Sequence, residues 1–173
     1  MNATIVVYGS STGTCEAIAE KIAQRLGCDA INVQDLTSEV VDNNQNLIIG
    51  TSTWGAGELQ DDWYDGLRVL QAANLSDKTI ALFGCGDQED YAEYFCDAMG
   101  TIRDIIEPHG AVIVGHWPTE GYHFEASKGL ADETHFLGLA IDEDRQPELT
   151  SQRVDQWVKQ IFDELQLKEI IEA

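Results

Sequence analysis

Basic residues are scarce in this sequence: 10 Lys and Arg stand against 31 Asp and Glu, a formal net charge of -21. Such a field repels phosphate backbones and anionic lipid, so it excludes nucleic acid and an anionic membrane as natural partners. A partner with a basic face suits it. Long apolar runs are lacking as well. No stretch of 18 or more apolar residues is present, and the first residues lack the basic, apolar and cleavage-site regions of a leader, so no membrane span is expected and a cytoplasmic location is. The cysteines, Cys15, Cys28, Cys85 and Cys96, have neither CxxC nor metal-ligand spacing. They are too few for a disulfide scaffold, which points to reduced thiols.

What is present is a regular alternation. Ala3 to Tyr8 is short and β-branched and ends at Gly9. A polar loop follows, then Ile18, Ala19, Ile22, Ala23 and Leu26 at helical spacing before Gly27. Further strands are predicted at Ala30–Val33, Asn46–Gly50, Thr79–Phe83 and Ala111–Gly115, with helices near Asp61–Ala73, Tyr91–His109 and Val154–Leu167. Near-continuous apolar strands between helices imply a parallel sheet covered on both faces. The fold class read from this is α/β, a doubly wound five-stranded sheet in a single domain over residues 1–173. Residues 117–135 break the alternation and read as an insertion into the last strand region, resumed at Phe136–Ile141.

Sheets of this kind bind ligands beyond the carboxyl ends of their strands. Three loops fall there: Gly9–Cys15, Thr51–Gly57 and Gly84–Tyr91. In the first, Ser10, Ser11, Thr12, Gly13, Thr14 and Cys15 lead into a helix N-terminus, whose free amides and dipole suit an anion. The loop has no Lys, which excludes a Walker-type nucleotide site. The plainer reading of its hydroxyls is an ordinary helix cap. In the other two loops, Trp54 and Tyr91 offer flat aromatic faces, and Gly55, Ala56 and Gly57 around Trp54 are too small to form a core. Trp63 and Trp157 fall on helices and are assigned to packing.

These motifs, Gly9-Ser-Ser-Thr-Gly13, Thr53-Trp54-Gly-Ala-Gly57, Gly84-Cys-Gly86-Asp87-Gln88 with Tyr91, Trp117-Pro-Thr-Glu-Gly121-Tyr122 and Gly138-Leu-Ala-Ile141-Asp-Glu-Asp144, resemble the flavodoxin family, specifically its long-chain branch. The similarity runs through the whole chain in order. It implies the strand order 2-1-3-4-5, a non-covalently bound FMN, and single-electron transfer at low potential between other proteins. By position it implies an FMN phosphate in the Ser10–Cys15 loop and a flavin ring between Trp54 and Tyr91. Thr53, Gly55, Ala56, Gly57, Cys85, Gly86 and Asp87 would surround that ring, with Asp87 at its pyrimidine edge and Asp144 toward the ribityl hydroxyls. It also implies that the peptide after Gly55 turns its carbonyl to the flavin N5 on reduction, which requires glycine's positive φ. One departure is Cys15, where the family has Thr, so a hydroxyl donor is lost. The expected partners are basic-faced redox proteins such as a flavodoxin reductase and an electron-accepting enzyme, acting on a monomer. With no acid, base or nucleophile constellation, the chain reads as a carrier and not an enzyme. A flavin-dependent quinone reductase would need a second nucleotide site. A receiver domain would need acidic residues where Ser10–Thr12 and Thr51–Thr53 stand.

Overall fold

The computed structural model describes residues 3–54 and 57–165. Its elements are β1 (Thr4–Gly9), α1 (Thr14–Leu26), β2 (Asp29–Asn32), α2 (Ser38–Asn43), β3 (Asn46–Trp54), β4 (Glu58–Leu59), α3 (Trp63–Ala72), β5 (Thr79–Cys85), α4 (Asp97–Ile106), β6 (Val112–Val114), β7 (Trp117–Pro118), β8 (His135–Phe136), β9 (Leu139–Ile141) and α5 (Thr150–Glu164).

The main sheet runs β2-β1-β3-β5-β6, with β4 on β3 and β9 on β5. Its principal strands are parallel, with Ile5 opposite Leu47 and Leu47 opposite Ile80. Counting without the two-residue β4, this is the order 2-1-3-4-5 expected from the sequence. Side chains alternate across a strand, so each strand feeds two cores. Ile5, Val7, Leu47, Ile49, Ile80 and Leu82 pack on one face with Trp63 and Leu70 of α3 and Met99 and Ile102 of α4. On the other face, Val6, Tyr8, Ile48, Ala81 and Phe83 meet Ile18 and Ile22 of α1 and Trp157 and Ile161 of α5. Apolar burial on both faces stabilises the sheet at roughly 25 cal/mol per Å². Trp63 and Trp157 are packing residues as read from the sequence: both are fully buried, and their indole N–H groups donate to the carbonyls of Gly50 and Gly115.

The last strand position is divided. β6 pairs with Thr79–Ala81 and β9 with Phe83–Cys85, so together they make one edge interrupted by the insertion. Within it β7 and β8 form a small antiparallel pair, Trp117 opposite Phe136. The insertion packs through its aromatic rings: Tyr122 and Phe124, together with Phe136 just after it, each contact Phe95 at 5.5–5.8 Å between centroids.

Two helix expectations change, and one helix was not expected. The helix expected from Tyr91 starts instead at Asp97. Residues 91–96 form turns because the Asp87 carboxylate draws in the amides of Glu89 and Asp90, the insertion takes the Phe95 amide through Ala126, and Cys96 adopts φ 54°. The closing helix begins earlier, at Thr150, and ends at Glu164. Residues 166 and 167, also expected in it, lie outside the described residues. Helix α2, capped by the Thr37 hydroxyl, carries only Val41 as a buried residue and has no apolar period to announce it.

Candidate functional site

A cleft of about 420 Å³ opens at the carboxyl ends of β1, β3, β5 and β9. Register builds it: Gly9 stands opposite Thr51, and Ser52 opposite Cys85, so the chain leaves three neighbouring strands at one level.

The first wall is the loop into α1. Gly13 occupies the N-cap position with φ 92°, and no side chain caps the helix. The ordinary Ser/Thr cap considered from the sequence is therefore not what these residues make. Ser10 instead accepts the Gly13 amide at 3.0 Å, which bends the loop and leaves the first-turn amides of α1 facing outward. Ser10, Thr12, Thr14 and Cys15 line the cleft. Ser11 does not, because its hydroxyl accepts from Gln60 at 3.1 Å.

The second wall comes from β3. Thr53 lines the cleft while its hydroxyl accepts the Ala98 amide at the start of α4. Ser52, overlooked in the sequence, also lines it, and its buried Oγ has no hydrogen-bond partner among the described residues. Gly57 closes the β3–β4 turn at φ 89°, where a Cβ would stand 2.7 Å from the Asp97 carboxylate. Gly55, Ala56 and the Trp54 side chain lie outside the described residues, and with them the peptide turn expected after Gly55.

Cys85, Gly86, Asp87 and Tyr91 form the third wall, with Tyr91 44% exposed. The insertion braces this loop. The Glu125 and Ala126 amides donate to the Ala92 carbonyl, and the His123 amide donates to Gln88 Oε1. Cys15 and Cys85 meet at the floor, Sγ to Sγ 3.1 Å.

A fourth loop, Asp142–Gln146, completes the site with Glu143 and Asp144. Burial, then the charges of Asp87 and Asp142, push the Asp144 carboxyl above its ordinary range. This loop also carries Arg145, which sequence reading missed by searching only three loops for basic residues. Arg145 grips Asp87 and also reaches Glu89 and Asp90. Burial raises the Asp87 carboxyl, but Arg145 and the amides of Asp90 and Glu89 outweigh it and hold the group below its usual range. Both oxygens of Asp87 accept from Arg145, which fixes the carboxylate at the cleft wall. The signal for Arg145 was available: a cation one residue beyond the acidic run Asp142-Glu143-Asp144.

The donor set therefore suits a ligand with one anionic end and a flat body. Neutral amides and hydroxyls meet the anion, an exposed tyrosine flanks the middle, and carboxylates rim the far side. A doubly wound α/β fold with this cleft defines a binder of phosphate-bearing ligands at the topological switch point. The flavodoxin family model matches residues 6–157. Flavodoxin 1 of Escherichia coli (strain K12) is 59% identical over the full length of both chains. The flavodoxin of Haemophilus influenzae is 55% identical over 94% of this chain and 95% of its own. The crystal structure of Fusobacterium nucleatum flavodoxin bound to flavin mononucleotide superposes with a TM-score of 0.87 at 32% identity, over 95% of this chain and 99% of that one. The chain belongs to the flavodoxin family.

Proposed function

We propose that this chain binds one FMN non-covalently in the cleft and carries single electrons, at low potential, between larger redox proteins. The observation that carries the reading is the uncapped N-terminus of α1, turned into a cleft that also holds a Ser52 hydroxyl with no partner among the described residues. A buried hydroxyl without a partner costs about 1–3 kcal/mol, which a ligand's acceptor would offset.

FMN, when bound, supplies the one-electron chemistry. The amides of Thr14 and Cys15 and the hydroxyls of Ser10, Thr12 and Thr14 would hold the phosphate without a cation. Tyr91 would flank the flavin, with Thr53, Gly57, Cys85 and Gly86 around it; by family position alone, Trp54, Gly55 and Ala56 would complete the enclosure. Asp87, fixed by Arg145, stands at its polar edge, and Asp144 stands toward the ribityl chain. Carboxylates dominate the rim even with Arg145 present, so negative charge added to the cleft is disfavoured and the potential is driven down.

The exposed acidic rim, with Glu89, Asp90 and Glu143, faces basic redox proteins such as a flavodoxin reductase and an electron-accepting enzyme. The chain acts as a monomer in the cytoplasm. No helix among the described residues is long and apolar enough to cross a membrane. Calorimetry of FMN against riboflavin tests the reading. FMN should bind one to one and more tightly, and equal affinities would remove the phosphate assignment.

A further inference from the structure

We propose that Cys15 and Cys85 form an oxidisable dithiol that a hydroperoxide closes to a disulfide, which loosens the hold of the Ser10–Cys15 loop on the cofactor phosphate. The consequence for the cofactor rests on the FMN reading of the cleft; the formation of the bond does not.

The two residues come from different elements, 70 positions apart, and their sulfurs lie 3.1 Å from each other in van der Waals contact or closer. Cys15 belongs to the first turn of α1 and Cys85 is the last residue of β5. Both line the cleft, so a small oxidant reaches them by the ligand's own route although their residual exposures are only 1% and 8%. The other cysteines are placed differently. Cys96 is fully buried, and neither it nor Cys28 lines the cleft.

The chemistry balances in two steps. The sulfur of one thiol attacks the hydroperoxide, the O–O bond breaks, a sulfenic acid forms, and water (or the alcohol of an organic hydroperoxide) departs with the thiol proton. The second thiol then attacks the sulfenic sulfur, the S–S bond forms and a second water leaves. Each sulfur gives up one electron and the O–O bond takes both.

A disulfide requires sulfurs about 2.05 Å apart, so closure draws the pair together by roughly 1 Å. Cys85 is anchored in the sheet, with Ser52 across from it in β3. The movement therefore falls on the first turn of α1, whose amides face the phosphate. Displacements of that size at a hydrogen-bonded site weaken it on the order of tenfold or more.

The test treats the apoprotein and the FMN-loaded protein with hydrogen peroxide, maps thiols by mass spectrometry, and measures FMN affinity before and after. The proposal expects a linked Cys15–Cys85 peptide two hydrogens lighter than its parts, forming faster in the apoprotein. It expects FMN affinity to fall about tenfold and return with dithiothreitol. Cys15→Ser and Cys85→Ser should each abolish the link, and Cys28→Ser should leave it. Free thiols at both positions after peroxide, or a link to Cys96, would overturn the pairing. A link that leaves FMN affinity unchanged would overturn its consequence. Failure of the reduced protein to prefer FMN over riboflavin would sink the FMN reading, while the mass of the linked peptide would still decide the dithiol.

Discussion

Arg145 holds Asp87 with two hydrogen bonds, Nε to Oδ1 at 3.0 Å and Nη2 to Oδ2 at 3.3 Å, and so fixes one wall of the cleft from a loop 58 residues away. The pair ties the end of β5 to the loop after β9, the two halves of the site that the insertion separates in sequence. Because the folded pKa of Asp87 is lowered, its contribution to stability is present above the unfolded value of about 4 and is lost as pH falls through the lower folded value. Arg145→Gln should therefore lower the urea midpoint at pH 7, and the gap to wild type should close below about pH 4. Urea titrations from pH 7 to pH 2 check this. A gap that persists to pH 2 would mean that Arg145 acts by packing and not by charge.

Ser52 tests the cleft from the opposite direction. Its Oγ is buried and partnerless among the described residues. Ser52→Ala should leave the apoprotein unchanged or about 1 kcal/mol more stable, and should weaken FMN binding by a comparable amount. Opposite signs in the two measurements, denaturation and calorimetry, distinguish a hydroxyl held for a ligand from one of ordinary structural use. Loss of apoprotein stability would contradict it.

Gly13 isolates the backbone geometry of the phosphate loop. Its φ is 92°, and a Cβ there would meet nothing within 4 Å. Gly13→Ala thus adds no clash, only the left-handed conformation, at roughly 1–2 kcal/mol. Thermal or urea unfolding should show that loss in the apoprotein, and FMN affinity should fall further because relief of the strain moves the amides of α1. A fully neutral substitution would mean that the loop holds this shape only loosely.

The sheet was legible because its strands, such as Leu47-Ile48-Ile49 and Ala81-Leu82-Phe83, are apolar on both faces, a pattern that parallel strands alone sustain. The phosphate loop was legible because hydroxyls and a glycine preceded a helical period. Long-range pairings were not. The Arg145 clasp on Asp87 and the contact of Cys15 with Cys85 join residues 58 and 70 positions apart, and although Arg145 stands out beside its acidic run, nothing local says which distant carboxylate or thiol a residue will meet. The turns at residues 91–96 were hidden for the same reason: their sequence is helical in character, and the competing hydrogen bonds come from the insertion. Ser52 was passed over because a serine within a strand looks like any other strand residue until its surroundings are known.

The acidic surface should show itself in kinetics. With a net charge of -21 and exposed Glu89, Asp90 and Glu143 beside the cleft, association with a basic redox partner should be fast at low salt and slow as salt rises. Charges more than about 8 Å apart are screened near physiological ionic strength. Stopped-flow transfer rates across a salt series check it, and a flat dependence would assign the charge to solubility.

The insertion gives the last test, because it braces the Asp87–Cys96 loop without lining the cleft. Tyr122 is its anchor: buried, its hydroxyl donates to the Ala140 carbonyl at 2.5 Å and accepts the Trp117 indole N–H at 3.0 Å, and the Arg153 guanidinium lies 4.0 Å over its ring. Burial pushes the phenol well above its ordinary pKa, so it remains a donor throughout the working range. Tyr122→Phe keeps the ring contacts with Phe95 and Phe136 and removes only the hydroxyl. It leaves the indole N–H of Trp117 and the Ala140 carbonyl short of a partner, at a cost of about 1–3 kcal/mol. Ala140 pairs with Gly84 on β5, one residue before the third cleft loop begins. Loss of stability should therefore be accompanied by faster amide exchange across residues 84–96, while the Ser10–Thr14 loop, held by separate contacts, exchanges as in wild type. Exchange that rises equally in both loops would show that Tyr122 supports the fold as a whole and not that wall of the cleft.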